Sequence, residues 1–169
     1  MRGIPLALVG VLVTSFLGAC GDGGSAGQPV AVTPAAASTP GASTVVWLTD
    51  AAEAKRQAAE RKVPILAVFS GSDWCVPCQL LKKEVFDTPA FAAWAAGAVV
   101  PLELDFPQHI AQSEALKKQN QDLFEHYNLD GYPIVLVLAA DGAKRGELGY
   151  LPGGPQPWIA KAQEIIAAK

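Results

Sequence analysis

Two cysteines, Cys75 and Cys78, follow a run of apolar residues, and this arrangement constrains the fold more than any other feature of the chain. The run from Ile65 to Phe69 contains no polar side chain, which is typical of a strand covered on both faces. The segment after Cys75 is predicted to be a helix. The sequence therefore predicts an α/β fold in which two thiols lie between the carboxyl end of a central strand and the start of a helix.

The rest of the chain alternates helical and strand patterns. Asp50 is predicted to cap a helix, with Glu53 at the spacing of a capping box and Pro64 beyond its end. Asp141 and Gly142 predict a hairpin turn. The alternation favours a central mixed β-sheet flanked by helices and closed by an antiparallel hairpin. The predicted elements are strands over 45–48, 65–69, 98–104, 134–138 and 144–150, and helices over 51–62, 75–86, 89–97, 113–127 and 156–168.

The N-terminal residues are predicted to lie outside this fold. Residues 1–19 have a basic residue, an apolar run and a small-residue cleavage site, as in a secretory signal. The site ends on Cys20 and resembles the bacterial lipobox, which implies lipidation of that cysteine and a membrane anchor. An ordinary signal peptide or a single membrane anchor remains the alternative. Residues 20–44 then form a tether rich in Gly, Ala, Ser and Pro, and residues 45–169 form one domain.

The net charge of the chain limits the kind of macromolecule that it could bind. The formal net charge is -3, and no basic cluster is longer than Lys82-Lys83 or Lys117-Lys118. This argues against a nucleic-acid partner, whose phosphates require a basic surface. We expect a monomer that meets other proteins through a small patch.

The cysteine spacing suits thiol-disulfide exchange. A thiolate is the nucleophile of that reaction, and the unpaired N–H groups of a helix N-terminus lower the pKa of a thiol. Cys75 lies where this effect is largest. Two alternatives stay open: half of a zinc site, for which His109 and His126 are the only histidines, and a structural disulfide, whose short loop adds little stability.

The segment from Trp74 to Cys78 resembles the active site of thioredoxins, and Tyr132-Pro133-Ile134 resembles their proline loop. The resemblance extends over residues 45–169 and is strongest to exported bacterial members of the family. It implies a thioredoxin-like fold, a cis bond before Pro133 and a Cys75–Cys78 disulfide, with Cys75 as the attacking thiol and Cys78 as the resolving thiol. It also implies a substrate groove, formed by Trp74, Val76, Pro77, Tyr132, Pro133 and Gly149.

Three departures from thioredoxin accompany the resemblance. Val76 replaces a glycine between the cysteines, and the loop over 106–113 is an addition. Phe69 stands where thioredoxins keep a buried aspartate that exchanges protons with the second cysteine, and no acidic residue obviously replaces it. If the absence of that aspartate slows resolution by Cys78, Phe69→Asp is expected to speed release of the mixed disulfide.

These features favour thiol-disulfide exchange on exported proteins, more as a reductase than as an oxidase. We expect neither a metal nor an organic cofactor. The protein would meet protein thiol or disulfide substrates, and a membrane redox partner would recycle it. The alternative is a thioredoxin-fold binding or chaperone module with a disulfide that does not cycle.

Overall fold

The computed structural model describes residues 45–168, so the predicted signal peptide, Cys20 and the tether lie outside the described residues. Apart from the strand predicted over 45–48, the order of helices and strands agrees with the prediction, and a π-helical turn over Lys82–Phe86 continues α2. Among the residues described, no helix is long and apolar enough to cross a membrane. The elements are α1 Ala51–Arg61, β1 Ile65–Ser70, α2 Val76–Leu81, α3 Pro89–Ala98, β2 Val100–Asp105, α4 Glu114–His126, β3 Ile134–Leu138, β4 Lys144–Leu148 and α5 Pro155–Ala167.

The four strands form one mixed sheet in the order β2-β1-β3-β4. β1 pairs in parallel with β2 and antiparallel with β3, while β3 and β4 form the antiparallel hairpin. The predicted strand over 45–48 is wrong: only Leu48 pairs with β2, through a bridge to Leu102. The chain turns away at once because Asp50 caps α1 two residues later.

Side chains of β1 alternate between two cores, as expected for a strand buried on both faces. Leu66 and Val68 pack with residues of α2, α3 and α5, including Trp158. Ala67 and Phe69 pack on the opposite face, with residues of α1 and α4. The sheet is therefore sandwiched by helices, and the thioredoxin-like architecture is confirmed.

Polar side chains fix where several helices begin. The Asp50 carboxylate accepts the backbone N–H groups of Ala52 and Glu53 at 2.8 and 3.1 Å. The predicted capping box does not form, because the Glu53 carboxylate instead accepts hydrogen bonds from Arg56 and Gln57. These caps set the ends of the helices and so the position of the loops between helices and sheet.

Candidate active site

The two cysteines lie at the start of α2 and are joined by a disulfide bond. Cys75 is the N-cap residue, with extended backbone angles, and its Sγ accepts the backbone N–H of Cys78 at 3.3 Å. Pro77 lies in the first turn, where a missing N–H costs no helical hydrogen bond. The Cys78 N–H points at the Cys75 sulfur, a contact that would favour a negative charge on that sulfur.

Burial does not distinguish the two cysteines, since each is 5% exposed. Their neighbours are much more open: the side chain of Val76 is 64% exposed and that of Trp74 is 38% exposed. The disulfide thus lies just beneath an apolar part of the surface. What distinguishes Cys75 from Cys78 is its position as the N-cap residue of α2.

Trp74 is anchored at the surface instead of being buried in the core. Its Nε1 donates a hydrogen bond to the Phe106 carbonyl at 2.8 Å, and its ring meets Tyr132 edge to face at 5.5 Å. Gly71 lies directly against the indole, so a Cβ at that position would overlap it. The indole is held from two sides beside the cysteines.

The proline loop lies next to the disulfide. The Tyr132–Pro133 bond is cis, as the resemblance implied, and Pro133 lines the same small cavity as Cys78. Gly149 is adjacent, because a Cβ there would stand 3.4 Å from the Pro133 carbonyl oxygen. Tyr132 stacks on Phe124 at 5.2 Å, and burial raises the pKa of its phenol. The structure therefore brings together the residues that the sequence singled out around Cys75.

A carboxylate that sequence reasoning did not assign to the site holds the added loop. Asp73 accepts the backbone N–H groups of Gln108, His109 and Ile110 at 2.9, 2.6 and 3.1 Å. The bond from Gln108, with those from His109 and Ile110, holds the pKa of Asp73 below its usual value. The loop over 106–113 is consequently fastened to the residue that precedes Trp74.

A second unassigned carboxylate fixes the turn before the cysteines. Asp105, at the end of β2, accepts the backbone N–H of Ser72 at 2.8 Å and its hydroxyl at 2.6 Å. The Asp105 carbonyl in turn accepts the side-chain amide of Asn120 at 2.9 Å. Asn120 is the one buried polar side chain among the residues described, and it connects α4 to this turn.

The cavity beneath Cys78 has a volume of about 40 Å³, and its wall includes Glu103 and Lys82. Burial, and to a lesser extent the charge of Asp105, raises the pKa of Glu103. Phe69 is not part of this wall. It is completely buried on the other face of the sheet, where its ring meets Phe124 at 6.2 Å.

Residues 45–168 contain no group of three or more His, Cys, Asp or Glu side chains that could hold a metal ion. Near the disulfide, Asp73 and Asn120 bond to backbone groups and Asp105 bonds to Ser72.

Residues 46–140 match the family model described as thioredoxin-like. The chain belongs to the thioredoxin-like family. This thioredoxin-like protein is 30% identical over 115 residues to the disulfide bond reductase DsbH of Chlamydia pneumoniae, an alignment that covers 68% of the chain and 69% of that relative. It is 33% identical over 96 residues to the thioredoxin-related protein DsbJ of the same organism, covering 57% of the chain and only 28% of DsbJ.

Solved structures agree with this assignment. A DsbH oxidoreductase superposes with a TM-score of 0.71 and 26% identity, covering 89% of this chain and 96% of the other. The C-terminal domain of Neisseria meningitidis DsbD in its oxidised form superposes with a TM-score of 0.51 and 20% identity, a likeness of fold alone. The family, its relatives and the Cys75–Cys78 disulfide at a helix start identify a thiol:disulfide oxidoreductase.

Proposed function

We propose that this oxidoreductase reduces disulfide bonds in exported proteins. The Cys75 thiolate attacks one sulfur of a substrate disulfide, which forms a mixed disulfide and releases one substrate thiolate. The Cys78 thiolate then attacks the Cys75 sulfur, closes the Cys75–Cys78 bond and releases the second substrate sulfur as a thiolate. Two electrons pass to the substrate, so a membrane redox partner must return two electrons to the protein in each cycle.

The direction of exchange is supported mainly by the two residues between the cysteines. Val76 and Pro77 carry no charge, and a strongly oxidising pair needs additional stabilisation of its thiolate form. The Cys78 N–H donates one hydrogen bond to the Cys75 sulfur. This bond comes from the helix start itself and is the stabilisation of a Cys75 thiolate that the helix provides. Similarity to a relative named as a disulfide bond reductase is consistent with this direction.

The substrate groove is proposed to run between Trp74 and the proline loop. Tyr132 and Pro133 would present backbone to an extended substrate segment, with Gly149 on the far side and the Val76-Pro77 step beside the disulfide. The exposed apolar surfaces of Trp74 and Val76 suit contact with apolar side chains of such a segment.

We also propose that the protein works outside the cytoplasm as a lipid-anchored monomer. The lipobox-like sequence ending at Cys20 and the tether over 20–44 support this location. Replacing Cys20 with alanine is expected to prevent incorporation of a labelled fatty acid and to move the protein out of the membrane fraction. Unchanged labelling in the Cys20→Ala variant would contradict lipidation at this residue.

The decisive experiment is the reduction potential of the Cys75–Cys78 pair, measured in thiol-disulfide buffers of known ratio. A value near that of thioredoxin, about -270 mV, supports a reductase, whereas a value near that of the oxidant DsbA, about -120 mV, contradicts it. A pair that never titrates would instead favour the binding or chaperone module.

A further inference from the structure

A small cavity lies behind the resolving cysteine. It has a volume of about 40 Å³, and both Cys78 and Glu103 contribute to its wall. The wall is mostly apolar, but its polar side chains can hold a water molecule in a cavity of this size, so a proton can pass across it without direct contact between Cys78 and Glu103. Apart from Glu103, the polar side chains of the wall are neutral or basic: Ser70, Ser72, Gln79 and Lys82.

Glu103 reaches the cavity from the neighbouring strand. It lies on β2 opposite Val68 of β1 in the parallel register, and Val68 lines the same cavity. Its backbone N–H donates to the Leu48 carbonyl at 2.8 Å, which fixes the strand but does not involve the side chain. The Glu103 side chain is half-buried. Within residues 45–168 its carboxylate takes part in no hydrogen bond or ion pair, so no such contact ties it to a structural role.

The charged groups that influence Glu103 come from two elements. Lys82, beyond α2, lines the cavity, but its Nζ binds the Asp87 carboxylate at 2.7 Å. Asp105 lies on the same strand, and its carboxylate is bound by Ser72. Burial outweighs the attraction of Lys82, and Asp105 and Asp87 add repulsion, so the pKa of Glu103 is raised. A carboxylate with a raised pKa is a stronger base than an ordinary one and is therefore better suited to accept a proton.

We propose that Glu103 accepts the proton of the Cys78 thiol when the mixed disulfide is resolved. The proposal rests on the exchange reaction described above and adds the proton path that Phe69 cannot supply. In the step, the Cys78 S–H proton passes across the cavity to the Glu103 carboxylate. The resulting thiolate forms the Cys75–Cys78 bond, and the Cys75–substrate sulfur bond breaks, leaving the substrate as a thiolate. The protonated Glu103 carboxyl returns the proton to solvent or to the Cys78 thiolate during the reverse reaction.

The two half-reactions can be observed separately with the aromatic disulfide 5,5′-dithiobis(2-nitrobenzoate), mixed with the reduced full-length protein. Attack by Cys75 releases one coloured thiolate, and resolution by Cys78 releases a second. At pH 7, Glu103→Gln is expected to slow the second phase about 100-fold, the size of a typical proton-transfer contribution, and to leave the first phase unchanged. Glu103→Asp should recover part of the rate.

The pH profile distinguishes proton transfer from a structural role. At a pH high enough to ionise the Cys78 thiol directly, above the ordinary thiol pKa of about 8.5, no base is needed, so the second-phase rates of the wild type and Glu103→Gln should converge. Glu147→Gln, on the exposed side of β4, is the matched control and should not alter either phase. A second phase that is unchanged in Glu103→Gln, or slowed equally at every pH, would overturn the proposal. Absence of the first phase in the wild type would instead overturn the exchange by Cys75.

Discussion

The Asp73 carboxylate accepts the backbone N–H of His109 at 2.6 Å, across 36 positions of the chain. Asp73 is followed directly by Trp74, whose indole binds the Phe106 carbonyl. Two consecutive residues therefore fasten the start and the middle of the 106–113 loop beside Cys75. Ile110 in this loop is 58% exposed, so the loop extends the apolar surface around the disulfide.

Asp73→Ala is expected to release the middle of this loop while the fold is retained. Hydrogen exchange of the Gln108, His109 and Ile110 amides should become at least about 10-fold faster, because each loses its acceptor. Asp141→Ala is a suitable control, since Asp141 also accepts a backbone N–H but in the distant β3–β4 turn. Unchanged protection of the three amides would show that the loop is held by other contacts.

The same contact should respond to pH. The pKa of Asp73 is lowered in the folded protein, so the contact is fully present above the ordinary aspartate pKa of about 3.9 and is lost as pH falls through the lowered value. The amide chemical shifts of Gln108, His109 and Ile110 should titrate together, with a midpoint below about 3.9. A midpoint at or above the ordinary value would contradict the hydrogen-bonding that lowers it.

Cys78→Ser is expected to trap substrates on Cys75. Without the resolving thiol, mixed disulfides persist and appear as higher-mass bands on non-reducing gels that disappear with reductant. Cys75→Ser is the matched control and should yield few such bands, because the remaining thiol is not the N-cap residue. Binding of partners without covalent bands in Cys78→Ser would favour the binding or chaperone module.

Val76→His is expected to make the pair more oxidising at pH 6. A protonated imidazole beside Cys75 stabilises the thiolate and hence the reduced form. Because Val76 is largely exposed, the gain should be modest, a rise in reduction potential of about 10 to 20 mV that fades above pH 7.5. Val76→Gln supplies a polar side chain without the charge; an equal rise in that variant would exclude the electrostatic cause.

Phe69→Asp is expected to destabilise the protein instead of speeding release of the mixed disulfide. Phe69 is fully buried on the face of the sheet that holds α1 and α4, so an aspartate there loses aromatic packing and places a charge in an apolar core. Denaturant titration should show that Phe69→Asp lowers the free energy of unfolding by more than about 3 kcal/mol. Phe69→Leu should lower it much less. A well-folded Phe69→Asp variant that resolves the mixed disulfide faster would contradict this prediction.

The parts of the site that the sequence predicts are local. An uninterrupted apolar run predicts β1, and the cysteine spacing and the Tyr132-Pro133 pair carry the family resemblance. The apolar residues of this helix also carry a local signal: Leu81 and Phe86 are both buried although they are five residues apart, because the helix passes into a π-helical turn. That spacing was the available signal for the turn.

The parts that escaped prediction depend on tertiary pairing. Glu103 reaches the cavity only because β2 pairs with β1 in a register that sets it opposite Val68. Asn120 belongs to a helix that is mostly exposed and polar, and its burial follows from reaching the Asp105 carbonyl. Neither contact could be predicted from the spacing of residues in the sequence, because each joins two elements that are separated along the chain.

The backbone bridge at Leu48 also affects whether a strand of another chain can pair with the β2 edge of the sheet. On the outward side of β2, the Leu48 backbone occupies the Pro101 carbonyl and the Glu103 N–H, while Asn120 occupies the Asp105 carbonyl. Pro101 has no N–H to offer. The opposite edge, β4, carries the exposed charged side chains of Lys144, Arg145 and Glu147, which disfavour pairing. Both edges of the sheet are therefore protected against pairing with strands of other chains.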